Sequence, residues 1–223
     1  MAEQNDQTLS FSERCGQFLT QNRKPIVIIL GAICAVVAIA LIASSLTTRA
    51  AKKASIETEA MISEWTDLRN KNAEDMTAEE DALAEKLEKQ AAANGRTYSA
   101  FRAYTTLGEI YVLRKDWEKA LTFYQKAGEA LPKAYTAGIA YFYAAACADE
   151  LQQHDKALEL YTLSAASDDF PLKPRALFNI GRLEESLAHP DKAIEAYTKL
   201  TESYPDNDWT LLAKSRIIAL SIN

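Results

Sequence analysis

A seven-residue pattern recurs three times in the C-terminal half of this 223-residue chain. Each copy reads acid–Lys–Ala–aliphatic–x–x–Tyr, and the three alanines are Ala120, Ala157 and Ala193, which lie 37 and 36 residues apart. A period near this length is typical of stacked helix–turn–helix units. The alanine suits a close crossing of the two helices of a unit, and the tyrosine is expected to fill space against the neighbouring unit. The acid is expected to cap the second helix and to meet the positive end of its dipole.

The residues around the first copy match the tetratricopeptide repeat (TPR) signature at seven of its eight positions, aromatic substitutions included. The third copy retains most of this set, whereas the second has Ala144 and Ala145 in place of Leu-Gly and Asp169 in place of the closing proline. The matching residues are Tyr104, Leu107, Gly108, Tyr111, Ala120, Ala127 and Pro132 in the first copy, and Leu177, Ile180, Gly181, Ala193, Tyr197 and Pro205 in the third.

We therefore predict an all-α fold in which a single transmembrane helix is followed by a helical hairpin and a TPR α-solenoid. The repeats are expected at about 101–134, 138–171 and 174–207, within a domain that covers 97–223. Residues 208–220 are expected to form a capping helix, because the last unit of a solenoid would otherwise expose its apolar face. The scarcity of glycine (7) and proline (6) disfavours a turn-rich β fold. A helical bundle without repeats is the alternative.

One uncharged, strongly apolar segment lies near the N-terminus. Its core, residues 26–46, is 21 residues long, and lysines and arginines flank it on both sides. A helix of this length is about 30 Å long, which matches the hydrocarbon core of a bilayer. We predict a transmembrane helix over residues 26–47. A cleaved signal peptide with a processing site at Ser44 and Ser45 is one alternative. Lipidation at Cys34 is another, although Ile33 does not fit a lipobox.

The orientation of this segment is less strongly determined by charge. Three basic residues flank each end, so the positive-inside rule alone does not decide. A short tail (residues 1–25) before a long C-terminal region favours a cytoplasmic tail and an external domain, and the reversed topology is the alternative. Within the tail, Phe11, Cys15, Phe18 and Leu19 recur at helical spacing. This pattern indicates an amphipathic helix on the inner membrane surface, or else a disordered tail.

Residues 48–96 are predicted to form a helical hairpin. The first helix carries an apolar stripe that includes Trp65 and ends near residues 70–72. The second begins at Thr77 with Glu80 three residues later, which is a capping-box pattern. Leu83, Leu87 and Ala91 follow at helical spacing, and Asn94 and Gly95 supply a stop.

Composition and motifs disfavour several classes of function. A formal charge of −6 disfavours nucleic-acid binding. The three cysteines, Cys15, Cys34 and Cys147, show no paired spacing, and His154 and His189 are isolated in predicted turns. No glycine-rich phosphate loop or metal-ligand spacing occurs. We expect no cofactor, no metal and no enzymatic activity; an enzyme that uses scattered carboxylates is the alternative.

A TPR solenoid is expected to bind partners along the face formed by the first helix of each unit. Aromatic and arginine side chains are typical interface anchors, and the candidates combine both types. Phe142 and Tyr143 alternatively pack in the core of a divergent repeat. The candidate groove residues are Arg102, Thr105, Glu109, Phe142, Tyr143, Arg175, Phe178, Asn179 and Arg182. The carboxylate clamp of eukaryotic cochaperone TPRs needs Lys, Asn and Arg at defined groove positions. Because Thr105, Glu109 and Tyr143 occupy three of these positions, we do not expect that clamp here.

The whole layout resembles the YfgM-like family of single-pass bacterial inner-membrane proteins, which are ancillary subunits of the Sec translocon. The sharpest local similarity lies in residues 18–25 and from Leu83 through the first repeat; Phe18 and Leu19 stand where the family often has tryptophan. The resemblance implies a membrane-anchored periplasmic scaffold. Its implied partners are the Sec channel, a membrane-anchored chaperone of the peptidyl-prolyl isomerase type, and exported proteins. The alternative is a scaffold for another envelope complex, such as outer-membrane assembly, cell wall or division.

Overall fold

The computed structural model describes residues 11–70, 77–167 and 169–222, and these ranges hold ten α-helices and no β-strand. The chain divides into two units, Met1–Ala50 and Ala51–Asn223. The helices are α1 (Phe11–Gln21), α2 (Arg23–Asn70), α3 (Thr77–Asn94), α4 (Tyr98–Leu113), α5 (Trp117–Ala130), α6 (Tyr135–Glu150), α7 (His154–Ala166), α8 (Lys173–Ser186), α9 (Pro190–Ser203) and α10 (Asp208–Ile222).

The first unit contains α1 and the apolar start of α2. The predicted span lies in α2, and its most apolar window has no buried residue. This helix is long and apolar enough to cross a membrane, and a signal sequence near an N-terminus has the same properties. The predicted tail helix forms as α1, and Phe11, Cys15, Phe18 and Leu19 on it are exposed; its location on a membrane stays a prediction. Residues 1–10 of the predicted tail lie outside the described residues.

The second unit begins with the hairpin. Trp65 and Leu68 of α2 belong to one buried cluster with Leu83 and Leu87 of α3 and Leu107 of α4. The stop at Gly95 is confirmed, since Gly95 has a φ of +53° and donates to the Ala91 carbonyl. Glu80 of the expected capping box accepts hydrogen bonds from Arg114, the C-cap residue of α4, at 2.8 and 3.3 Å. Residues 71–76, which follow the predicted end of the first hairpin helix near residues 70–72, lie outside the described residues.

Three helix pairs follow, α4–α5, α6–α7 and α8–α9, and the motif alanines Ala120, Ala157 and Ala193 are all 0% exposed. The turn inside each pair has one geometry. In the first pair Lys115 adopts a left-handed φ of 57°, and the next N–H, of Asp116, donates to the Tyr111 carbonyl at 2.9 Å. This is a Schellman motif. Gln152 and Ala188 occupy the same place in the other pairs, with φ of 58° each.

The N-cap position predicted for the second helix of each pair was wrong by two residues. Glu118, Asp155 and Asp191 of the motifs lie within the first helical turn, where they meet the dipole. The N-cap residue is two positions earlier, because the turn ends sooner than the motif suggests. Asp116 caps α5 by accepting from the Lys119 N–H at 3.1 Å. Neither of the equivalent N-caps in the other two pairs, Gln153 and His189, makes a side-chain cap hydrogen bond.

The motif tyrosines pack mainly within their own unit, not only against the neighbour as expected. A Cβ on Gly108 would lie 2.7 Å from the Tyr124 ring, and one on Gly181 would lie 2.5 Å from the Tyr197 ring. Each ring therefore rests on the backbone of the facing helix, where only glycine fits. Tyr124 also reaches the next unit, since its ring stacks on Tyr143 at 5.4 Å.

The capping helix α10 packs on the last pair. Thr210 and Ala213 are buried, and the Thr210 hydroxyl donates to the Tyr204 carbonyl at 2.6 Å. Arg216 donates to both carboxylate oxygens of Glu185 in α8. The far side of α10 keeps large apolar side chains exposed, among them Ile218 at 62%.

We predict that Gly181→Leu lowers the free energy of unfolding by about 2–3 kcal/mol, because the new side chain displaces the Tyr197 ring from the facing helix. Urea denaturation followed by circular dichroism measures the change. Ser186→Leu in the same helix is the matched control, since this position is exposed, and it should change stability by less than about 0.5 kcal/mol. Equal effects of the two substitutions would contradict the proposed crossing.

Candidate partner-binding groove

The first helices of the units share one register. Four pairs of positions seven residues apart face the core: Ala103 and Ile110, Ala140 and Cys147, Ala176 and Leu183, and Thr210 and Ile217. The residues that directly precede Ala103, Ala140, Ala176 and Thr210 therefore lie on one common side of the stack. These residues are Arg102, Ile139, Arg175 and Trp209. We call this side of α4, α6, α8 and α10 the groove face. Sequence reasoning missed Trp209, although its 34-residue spacing from Arg175 is the signal that could have found it.

Arg102 is engaged at the start of the groove face. Its guanidinium donates to the two carboxylate oxygens of Glu59 in α2, at 2.7 and 3.0 Å. These hydrogen bonds hold the pKa of Glu59 below its ordinary value. The neighbouring candidate Thr105 donates its hydroxyl to the Phe101 carbonyl at 2.8 Å. Arg102 therefore joins α2 to α4, and its charge is matched within the chain.

Arg182 is engaged in the same way further along. It forms an ion pair with Asp149 of α6. His154 at the start of α7 lies 3.7 Å from the other oxygen of that carboxylate. This pair joins α6 to α8, as Arg102 joins α2 to α4. Asn179, one turn earlier in α8, is half-buried.

The aromatic candidates separate into a core residue and surface residues. Phe142 is only 2% exposed. The centroid of its ring lies 5.3 Å from that of the Tyr161 ring and 6.0 Å from that of the Phe170 ring. It therefore packs in the core, as the alternative interpretation held. Tyr143 is 42% exposed and stacks on Tyr124.

The C-terminal end of the groove face is a cluster of aromatic rings around one guanidinium. Arg175 lies over the Phe142 ring at 5.2 Å and over the Trp209 ring at 5.6 Å. Phe178 lies 5.1 Å from Trp209. Such cation–π contacts hold the Arg175 side chain flat against the rings.

Glu109 differs from the other charged candidates. Its side chain is exposed, and within the described ranges it forms no ion pair or hydrogen bond. Surrounding protein atoms exclude part of the water from its carboxylate, and this raises its pKa, whereas the positive charges of Arg102 and Arg69 lower it. Burial and then the charge of Glu109 raise the pKa of Tyr124. The Tyr124 ring rests on Gly108, the residue before Glu109, and stacks on Tyr143.

Two side chains of the second unit that could react chemically, Cys147 and His189, are buried and hydrogen-bonded, respectively. Burial, with the charge of Glu150, raises the pKa of the Cys147 thiol to about 12, so this cysteine is protonated and a weak nucleophile at neutral pH. His189 Nδ1 lies 2.8 Å from a carboxylate oxygen of the buried Glu184. No group of three or more His, Cys, Asp or Glu that could hold a metal occurs among the described residues.

These helix pairs define a helical-repeat protein of the α-solenoid class, a scaffold for protein–protein interaction. A tetratricopeptide repeat profile matches residues 175–207. A TPR repeat-containing protein of Treponema pallidum (strain Nichols) is 38% identical over 224 residues, which cover 94% of each chain. The chain belongs to this family of TPR repeat-containing proteins. Membership of the YfgM-like family stays a prediction.

Solved structures similar to this one include two TPR proteins. The Arabidopsis OM64 TPR domain has a TM-score of 0.45 at 23% identity, over 54% of this chain and 95% of that domain. TPR-like repeats of a protein described as a kinesin light chain from Podospora anserina have a TM-score of 0.49 at 12% identity, over 63% of this chain and 76% of theirs.

We predict that Glu109→Gln raises the free energy of unfolding at pH 7. The pKa of Glu109 is raised in the folded state, so ionisation costs stability above that pKa and the cost disappears as the carboxylate is protonated. The advantage of the variant should therefore shrink as the pH falls towards 4. Urea denaturation at both pH values measures it, and Glu195→Gln, at an exposed position of α9, is the control. A Glu109→Gln variant that is less stable at pH 7 would contradict this assignment.

Proposed function

We propose that this protein is a membrane-anchored scaffold whose TPR solenoid holds other proteins close to a membrane. The observation that carries the proposal is the combination of two features in one chain. The apolar stretch of α2 has no residue buried by protein in its most apolar window, so it needs another apolar surrounding, which a bilayer supplies. The second unit packs its helix pairs around buried apolar clusters, and its repeats are of a type that binds other proteins.

The resemblance to the YfgM-like family supports a finer version of this proposal. The anchor would be a single span in a bacterial inner membrane, with residues 1–25 in the cytoplasm and the TPR domain in the periplasm. The partners would be the Sec channel, a membrane-anchored chaperone of the peptidyl-prolyl isomerase type, and exported proteins that leave the channel. The domain limits 26–47, 48–96 and 97–223 belong to the same proposal, and the protein would act by binding without catalysis.

We predict that Cys15 and a cysteine introduced by Ser215→Cys react with reagents on opposite sides of the membrane. Both positions are exposed, and Cys34→Ala removes the other exposed thiol, whereas Cys147 is buried and should not react while the protein is folded. In intact spheroplasts, an impermeant maleimide should label position 215, and Cys15 should react only after permeabilisation. The opposite pattern would show reversed topology. Label at position 215 in a shortened, soluble protein would show a cleaved signal peptide.

We predict that the full-length protein, captured in mild detergent, brings down the Sec channel and the isomerase-type chaperone. The double variant Tyr143→Ala/Arg175→Ala should reduce this recovery about tenfold, because it removes two central anchors of the groove face. Leu163→Ala is the matched control, since Leu163 is an exposed residue of α7 at 43% exposure. Circular dichroism should show that both variants are folded.

Three results would change the proposal. Unchanged recovery with a folded double variant would place binding on another face. Recovery of outer-membrane assembly, cell-wall or division proteins without the Sec channel would favour the other envelope scaffold. Turnover of a substrate that depends on a groove residue would favour an enzyme.

A further inference from the structure

The groove face has less unpaired positive charge than its composition suggests. Its candidate residues include three arginines and one glutamate. Arg102 and Arg182, however, are paired with the carboxylates of Glu59 and Asp149. Arg175 is stacked on two aromatic rings. Among the charged candidates described, Glu109 alone lacks both an ion pair and a ring contact.

Glu109 lies close to an accessible aromatic surface. Tyr124 of α5 connects the two features, because its ring stacks on Tyr143, with the ring centroids 5.4 Å apart, and rests on the backbone of Gly108, the residue before Glu109. Tyr143 leaves 42% of its surface to solvent. A carboxylate beside the face of an accessible phenol ring is a favourable environment for a cation, since both the charge and the ring quadrupole attract it.

Two arginines act on the charge of Glu109. Arg102 belongs to the same helix, seven residues earlier, which corresponds to about 10 Å along the axis, and it is held by Glu59. Arg69 of α2 lies over the Trp65 ring, with its guanidinium carbon 4.9 Å from the ring centroid. Both lower the pKa of Glu109 without forming an ion pair with it. Among the described residues, no cation is therefore paired with the Glu109 carboxylate.

We propose that Glu109 and Tyr143 form a seat for one basic side chain, lysine or arginine, of a polypeptide segment bound along the groove face. This inference rests on the proposed scaffold function and specifies the chemistry of its partner. The ammonium or guanidinium group of the partner replaces the water that the carboxylate has lost, and its alkyl stem covers the exposed ring. The seat has the opposite polarity to a carboxylate clamp, in which the groove supplies the basic groups.

Retention on defined peptide pools tests the seat with the full-length protein in detergent micelles. Each pool is an immobilised set of eleven-residue peptides with one fixed central residue, Lys, Arg, Gln or Glu, and mixed residues elsewhere. The wild-type protein should be retained about fivefold more by the Lys and Arg pools than by the Gln pool, which is the effect of one exposed ion pair together with one cation–π contact. Higher ionic strength should reduce the preference.

The variants identify the residues responsible. Glu109→Gln and Tyr143→Leu should each weaken the preference for basic pools, and Glu109→Arg should shift it to the Glu pool. Glu195→Arg is the matched control, because it makes the same charge change at an exposed position of α9, a second helix of a pair, and it should retain the wild-type preference. Thermal unfolding should confirm that each variant is folded.

The outcomes separate this inference from the function on which it rests. Equal retention of the wild-type protein by all four pools would overturn the seat and leave peptide binding intact, as would an unchanged preference in a folded Glu109→Arg variant. A charge shift in Glu195→Arg equal to that in Glu109→Arg would also overturn it. No retention by any pool would overturn both the seat and the binding of extended segments by the groove face.

Discussion

The contact of a tyrosine ring with the bare backbone of a facing glycine sets the geometry of two of the three helix pairs. Where Tyr124 rests on Gly108 and Tyr197 on Gly181, no Cβ fits between the two helices. In these two pairs, α4–α5 and α8–α9, the helices are held at a short separation by a large and rigid side chain, whereas the middle pair has Ala145 at the position of the glycine. Close packing at this density allows little adjustment, so the outer two pairs cross in the same way. The groove face follows from the register of the first helices, whose buried positions recur from one pair to the next.

The repeating elements could be predicted from the sequence because each depends on residues close together in the chain. Ala120, Ala157 and Ala193 mark the crossing, and all three are buried as expected. The capping residues could not be predicted correctly from the same motif. The first helix of each pair ends in a left-handed residue, and this residue is a lysine, a glutamine or an alanine where glycine is the usual signal. The turn was therefore placed too late, and the cap was assigned to Glu118 in place of Asp116.

The candidate site was predictable as a surface but not as a set of charges. Helical spacing identified the face to which Arg102, Glu109 and Arg175 belong. Local patterns contain no information about the partners Glu59 and Asp149, which lie 43 and 33 residues from the arginines they bind. Phe142 illustrates the same limit, because its burial depends on Phe170 in the link before α8. A side chain at a groove position of a helix lies in the core when a connecting segment folds over it, and the 3.6-residue period does not record such segments.

The ion pairs that match the charges of two groove arginines also join separate helices. Arg102 connects α2 with α4, and Arg182 connects α6 with α8, so both lie between successive layers of the stack. Exposed ion pairs contribute little to stability individually, so these two affect the charge of the groove face more than the stability of the fold. Glu109 lies on the same face and forms no ion pair of its own among the described residues. A carboxylate that is partly desolvated and unpaired costs stability in the free protein. In the proposed seat, the basic side chain of a partner offsets that cost.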